Sequence, residues 1–439
     1  MIKKHIKYSP LLKSLYAKLR NNLFKVRGDV VNQKRFVSML MDVNNNRNMQ
    51  ALKLLNKLFA YSQTNELAFS EEYIELFVKY ASHIRGYYDL STDCIHQLLE
   101  DSRELDPNSL TSDKWLEYCH LCMLNGMFQL GAIIRSKAIE SSYIEANFST
   151  ASKNQIYRAF KAAVDQADYQ YANNMLEMLS STNMDDKDLI KCRLFLSMCQ
   201  GDLETVSSLA RSFYSNADRL FYDYLKNKEV ALVGPAPLDN NNGKEIDSHE
   251  VVVRLSYVGG SSFADTNILG AKINISYYGD FFSEAISKLP DYDFLKKLDY
   301  TVFKTIRYQY QKELYKAGKS RVLFSPNDCF FNGSAHMIQN ALFDLLCFSP
   351  NRIKLYNVNF FLSTKMHYDG YSKILRRRKG VKRRYYERHA NHKYLSSLNY
   401  TRNLWNSGII EVDNFCSEVL NMTSEDYMSE MQKIYINQE

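Results

Sequence analysis

The pattern of apolar residues changes abruptly at Glu229, and that change constrains the fold more than any other feature. From residue 10 to 225, apolar residues recur three and four positions apart: in 51–61, 73–85, 94–99, 115–123, 128–139, 156–165, 171–179, 189–199 and 203–214. This spacing lines up one stripe of a helix, and no alternating β-branched run interrupts it. Between residues 112 and 216 the segments pair, with a period of roughly 35–40 residues. Polar breaks such as Asn125-Gly126, Gln166-Ala167-Asp168 and Gln200-Gly201-Asp202 separate the members. The expectation is an all-α domain over residues 1–225, a tetratricopeptide-like (TPR-like) helical-hairpin array that binds a protein partner or buttresses its neighbour.

After Glu229 the texture is that of an α/β protein. Val230-Ala231-Leu232-Val233-Gly234 is a short apolar run ending in glycine, as in a buried parallel strand entering a turn. Residues 251–255, 272–278, 300–304, 321–324 and 352–358 read as further strands, with helices over 282–289 and 335–347. Alternation of this kind predicts a doubly wound, Rossmann-like domain over residues 226–439. Its ligand belongs at the carboxyl ends of the strands, just after Val233, Leu255, Tyr278, Phe324 and Val358.

Composition narrows the function classes. Hydrophobic residues make up 45% and charged residues 24% of the chain, as in ordinary soluble proteins. There is no apolar run of about 20 residues, so no transmembrane helix is expected. Residues 1–20 are basic but lack the apolar core of a secretory signal, which points to the cytoplasm. A net charge of +7 is too mild to imply nucleic acid. The charge is concentrated in Arg376, Arg377, Arg378, Lys379, Lys382, Arg383 and Arg384, a run suited to an acidic or phosphorylated acceptor or to the inner membrane surface. Cys119 and Cys122 form a C-x-x-C pair inside a helical stretch with no second ligand pair, so they read as buried helix cysteines.

Two segments offer sites for an anion. Gly234 at a strand end, followed by Pro235, Ala236 and the polar loop 240–243 with Asn241 and Gly243, lets backbone amides approach a phosphate. Gly333-Ser334-Ala335-His336 opens an apolar helix, whose free amides suit a carboxylate or phosphate.

Together these strings resemble the sialyl motifs of sialyltransferases. The run from Val233 to Leu255 resembles the large motif, with Glu245 to His249 and Arg254 in the family pattern. Residues 332–337, with the later strand ending Tyr356-Asn357, resemble the small motif. His367-Tyr368-Asp369 resembles the His-Tyr-Tyr motif, and His392 followed by Gly408-Ile409-Ile410 resembles the very small motif, with His389 a competing choice. The resemblance covers residues 230–410; the helical half has no counterpart in the family. The two cysteines that eukaryotic members pair are not both present, although Cys347 lies in the small motif. Pro235 stands where the family has an asparagine, and Ser397 where the very small motif has glutamate. These departures bring the chain nearer in kind to bacterial retaining β-Kdo transferases.

The resemblance implies a CMP-activated acidic sugar as donor, Kdo in first place and sialic acid as the alternative. It also implies a metal-independent reaction and a glycan or glycolipid acceptor of lipopolysaccharide or capsule. Donor contacts would come from Gly234, Pro235, Ala236, Asn241, Gly243, Arg254, Gly333, Ser334, Ala335, His336 and Tyr356. In an inverting route His392 is the base. A retaining route needs a carboxylate nucleophile, with Asp239 the first candidate and Asp328 the second. His367 completes the catalytic candidates. Asp291-Tyr292-Asp293 has metal-motif spacing but lies in a connection after Pro290. The rival from another class is a helical-repeat interaction protein with a degenerate transferase domain.

Overall fold

The computed structural model describes residues 96, 99–100, 102–124, 126–238, 240–259, 265–363, 367–368, 371 and 394–436. The helices expected before residue 94, the basic run 376–384, Asp239, Asp369, His389 and His392 lie outside the described residues. The chain divides into two compact units, Met1–Ser141 and Ser142–Glu439. The helices between Lys153 and Leu225, expected to belong with the N-terminal half, share the second unit with the sheet.

Helix α1 (Ser112–Leu124) lies in the first unit and is followed by α2 (Phe128–Ala146), within which the division at Ser141 falls. Ser112 Oγ donates to the carbonyl of Ala138 (2.8 Å), and the Trp115 indole donates to Pro107 (3.1 Å). Cys119 and Cys122 are buried in α1, and burial raises the Cys122 thiol well above its ordinary pKa.

The second unit begins with packed helix pairs: α3 (Lys153–Asp165) with α4 (Tyr169–Ser180), and α5 (Asp186–Gln200) with α6 (Leu203–Arg211). Capping side chains start each one. Ser152 and Gln155 form a capping box at α3, while Asp168, Asp185 and Asp202 cap the next three. Helix α7 (Asn216–Leu225) then leads into the sheet.

Seven parallel strands form that sheet: β1 (Glu229–Val233), β2 (Val251–Leu255), β3 (Ile275–Tyr278), β4 (Tyr300–Phe303), β5 (Ser320–Val322), β6 (Arg352–Tyr356) and β7 (Glu411–Val412). Their order is β5-β4-β3-β2-β1-β6-β7. Strand order therefore reverses at β1, which has β2 on one side and β6 on the other. The intervening helices are α8 (Gly243–Ser248), α9 (Thr266–Leu269), α10 (Asp280–Ile286), α11 (Gln309–Ala317) and α12 (Met337–Leu346). After β6 come α13 (Tyr394–Asn406), α14 (Asn414–Asn421) and α15 (Ser424–Ile436). No helix among the described residues is long and apolar enough to cross a membrane.

Neighbouring tyrosines in β3 show that helices cover both faces. Tyr278 packs with Ile286 of α10 and Leu314 of α11. Tyr277 points the other way, as strand alternation requires, and donates to Asp344 of α12 (2.6 Å). On this second face Arg321 of β5, 1% exposed, reaches Asp218 of α7 (2.8 Å) and Asp344 (2.5 Å). Its guanidinium also lies over the rings of Phe348 (4.4 Å) and Phe221 (4.8 Å). Burial pulls against the Arg321 cation, but Asp344 and Asp218 outweigh it and the group stays charged.

This network joins α7, the sheet and α12. Replacing Arg321 by Met should leave two buried carboxylates unpaired and cost about 3–5 kcal/mol in urea unfolding; a loss under about 1 kcal/mol would show that the network contributes little.

Candidate crevice at the carboxyl ends of β1 and β6

In an open parallel sheet, the reversal of strand order leaves a crevice outside the carboxyl ends of the two central strands. Here those ends are Val233 and Tyr356. The Gly234 amide donates to Tyr356 O (2.7 Å) and the Ala236 amide to Asn357 O (3.2 Å), so the chain leaving β1 runs against the chain leaving β6. A Cβ on Gly234 would collide with the Asn357 carbonyl and the Val358 side chain. This glycine is thus required by close packing between the two exits.

Asp413, just after β7 and 5% exposed, fastens the crevice. Its Oδ2 accepts the Asn357 amide (2.8 Å) and the side-chain amides of Asn240 and Asn242 (3.3 Å each). Its Oδ1 caps α14 through the Cys416 amide (2.9 Å). The Asn240 and Asn357 side-chain oxygens, both buried, have no partner among the described residues. Left-handed backbone occurs on this side of the sheet, as it also does before β1 at Asn227 (φ 62°) and before β6 at Ser349 (φ 52°). Ser256 after β2 has φ 56°, and Asn357, Phe360 and Phe361 after β6 have φ 56°, 44° and 67°. Left-handed conformations of this kind in non-glycine residues are concentrated at functional sites.

The second anion-binding candidate faces the same side. A Cβ on Gly279, directly after β3, would approach Met337 Cε at 3.1 Å, so α12 starts over the carboxyl end of β3. His336, the N-cap, makes no side-chain cap, and its ring lies 4.7 Å from Phe361 and 6.2 Å from Tyr394. Asn340 shapes the turn by donating to the carbonyls of Ala335 (3.0 Å) and His336 (2.9 Å). Gly333, with φ 90°, is exposed, Ser334 is half-buried and Ala335 is buried. The Gly234 and Gly333–His336 turns therefore border one stretch of chain, residues 357–361.

The other motif residues divide in two. Tyr368 joins the first loop, its amide donating to Pro235 O (2.9 Å). Next to it, the His367 ring lies flat on Tyr371 (4.6 Å, 5°). Desolvation lowers the His367 pKa to about 4, so the imidazole is neutral at pH 7 although its edge meets solvent. Asn241 is exposed in the loop after β1, with φ 32°. By contrast, Gly243 fits α8 tightly against α9, since its Cβ would collide with the Thr266 carbonyl. Arg254 is 3% exposed and donates to the carbonyls of Lys272 (3.0 Å) and Leu269 (2.5 Å). Burial lowers its pKa to about 10, which leaves it charged.

The motif string around α8 is similarly occupied. Asp247 accepts the amides of Ala271 and Lys272 (2.9 Å each), and His249 Nδ1 bonds the Glu245 carbonyl (2.9 Å). Burial disfavours the Glu245 carboxylate, but the hydrogen bond from Lys354 (2.5 Å) holds its pKa below the usual range. Tyr356 itself is buried and contributes its carbonyl to the Gly234 amide. Asp328 is exposed on a 3-10 turn, Asn327–Cys329, where its carbonyl accepts the Tyr157 hydroxyl of α3 (2.6 Å). That contact places Asp328 against the helical segment. Ser397 is buried on α13, next to Thr401, whose hydroxyl accepts from Gln339 of α12 (3.0 Å). Among the described residues, no group of three or more His, Cys, Asp or Glu could hold a metal ion.

Asp413 escaped the motif reading, and Asn357 entered it only as the end of the small-motif strand. Their sequence signals are short: Asp413 starts a helix after a two-residue strand, and Asn357 is a residue type that tolerates positive φ at a strand end. No protein-family model matches the chain. A comparison with curated proteins also finds no match.

Two measurements probe this geometry. Asp413→Ala orphans the Asn357 amide and removes the α14 cap, a loss of about 2–4 kcal/mol in denaturant unfolding; Asp413→Asn, which keeps an acceptor, should lose less. The His367 Cε1 proton should titrate near pH 4 by NMR. The unfolded chain takes up that proton near pH 6.5, so this group removes stability as pH falls from 6.5 toward 4. A midpoint at 6.5 would contradict the packing of His367 on Tyr371.

Proposed function

We propose that the second unit is a Rossmann-like glycosyltransferase that moves an acidic 2-keto-3-deoxy sugar, Kdo in first place, from CMP to a bacterial surface glycan. One observation carries this reading: the two turns of the large and small motif strings border the same segment, residues 357–361, at the carboxyl side of the sheet. The amides of Gly234 and Ala236 are taken up by the exit of β6, so a donor with a phosphate and a carboxylate would be met by the asparagine loop that follows and by the N-terminus of α12. The basic run 376–384 would then meet an acidic acceptor or the inner membrane surface, and the TPR-like hairpins a protein partner.

In the retaining route, the Asp239 carboxylate attacks the anomeric carbon as the bond to CMP breaks and its electron pair leaves with the phosphate. The acceptor hydroxyl then displaces the carboxylate, giving its proton to a base, for which His392 is the candidate. The residues flanking Asp239 support the assignment: Leu238 is buried at the exit of β1, and Asn240 bonds Asp413. With CMP-sialic acid the alternative is a single inverting displacement with His392 as base.

A second reading, an interaction protein with a degenerate transferase domain, is favoured by the structural occupation of Asp247, His249 and Arg254. Their presence follows from the fold alone.

Intact-protein mass spectrometry separates these readings. Incubation with CMP-Kdo and no acceptor should add one Kdo residue to the protein, and Asp239→Asn should abolish the adduct. CMP release with no adduct, from CMP-sialic acid plus acceptor, would indicate the inverting route. No thermal stabilisation by millimolar CMP would support the degenerate reading.

A further inference from the structure

Two large exposed aromatic side chains stand at the carboxyl ends of β3 and β4. Phe281, the second residue of α10, is 65% exposed, and Tyr308, which precedes α11, is 58% exposed. Tyr308 stacks on Tyr310 with ring centroids 5.5 Å apart and planes 9° from parallel. The two sites are held side by side, because Gln311 Nε2 of α11 donates to Asp280 Oδ1 of α10 (3.1 Å). Leaving such rings in water forfeits burial that an ordinary surface would use, and grouped exposed apolar surface marks an interaction site.

The surroundings of the rings indicate the partner's chemistry. The neighbouring carboxylates are engaged: Asp280 by Gln311, Glu284 by Lys288 (2.5 Å) and Glu313 by Gln309 (3.2 Å). The exposed cations Arg307 and Lys312 have no carboxylate partner among the described residues. Flat rings bordered by amides and unpaired cations match a sugar ring with a carboxylate, which offers an apolar C–H face and an anion together. An apolar protein groove would instead need aliphatic neighbours, and the exposed residues next to Tyr308 and Tyr310 in the chain are polar: Arg307, Gln309 and Lys312.

We infer that Phe281, Tyr308 and Tyr310, with Arg307 and Lys312, form a subsite that stacks an acidic sugar of the acceptor glycan. This rests on the transferase reading, because strand ends β3 and β4 lie on the same carboxyl side as the crevice between β1 and β6. A chain entering over these rings would run along the strand ends toward the donor.

The test uses the full chain with two probes, a hyaluronan hexasaccharide and neutral maltohexaose, read by saturation-transfer NMR and titration. The acidic hexasaccharide should bind, with saturation strongest on its ring C–H protons. Phe281→Ala combined with Tyr308→Ala should weaken it at least tenfold, while Tyr308→Phe, which keeps the ring, should not. Arg307→Gln should remove the preference over maltohexaose. Binding of neither probe, or equal binding by the double variant, would overturn the subsite. CMP stabilisation is read in parallel on every variant and should be unchanged. If CMP stabilises the protein and the rings bind no glycan, the subsite falls alone. If the acidic glycan binds at the rings and CMP gives no shift, the transferase reading falls and the rings remain a glycan-binding surface.

Discussion

A buried carboxylate at the reversal point of the sheet holds three chain exits together. Asp413 bonds the chain leaving β6, the asparagines of the loop leaving β1 and the first turn of the helix after β7. The reversal itself opens the crevice, because neighbouring connections leave β1 and β6 toward opposite faces. Without an acceptor there, the Asn357 amide would be buried unpaired and the two exits would have no common anchor. Gly234 completes the constraint from the other side, since only a residue without Cβ allows β1 to leave so close to Asn357.

Stability and candidate chemistry are separated in space. The Arg321 network lies within one face of the sheet, where it fastens α7 and α12 to β3 and β5. Through Asp344 it fixes α12, the helix that Gly333 to His336 lead into. Strained backbone is found at the carboxyl ends, at Ser256, Asn357, Phe360 and Phe361, each costing about 1–3 kcal/mol. A rigidly held helix and a strained exit bordering one crevice are the arrangement expected of a preorganised site.

Much of the fold was legible in the sequence, because short apolar runs of strand length, ending in glycine or polar residues, alternate with helical segments. The expected strands at 230–234, 251–255 and 352–358 correspond to β1, β2 and β6. Strand β7, only Glu411–Val412, was not, since two residues carry no period. Helices α8 and α11 also lay outside the reading; α8 spans six residues, too few for a helical period to show, and α11 is largely polar. For the site, the loop positions were legible but the roles of individual residues were not. Arg254, Gly243 and Tyr356 serve packing and backbone bonding, which a motif string cannot distinguish from ligand contact. Asp413 was hidden because its partners are up to 173 positions away in sequence.

The central claim is that one crevice, between the exits of β1 and β6, receives a cytidylate. The most direct measurement is a structure of the full chain with CMP bound. The account predicts the phosphate between the loop that follows Gly234, at Asn241 to Gly243, and the turn at Gly333 to His336, within hydrogen-bonding distance of donors in both. Nucleotide bound at the amino ends of the strands, or on only one of these turns with the other facing away, would contradict it.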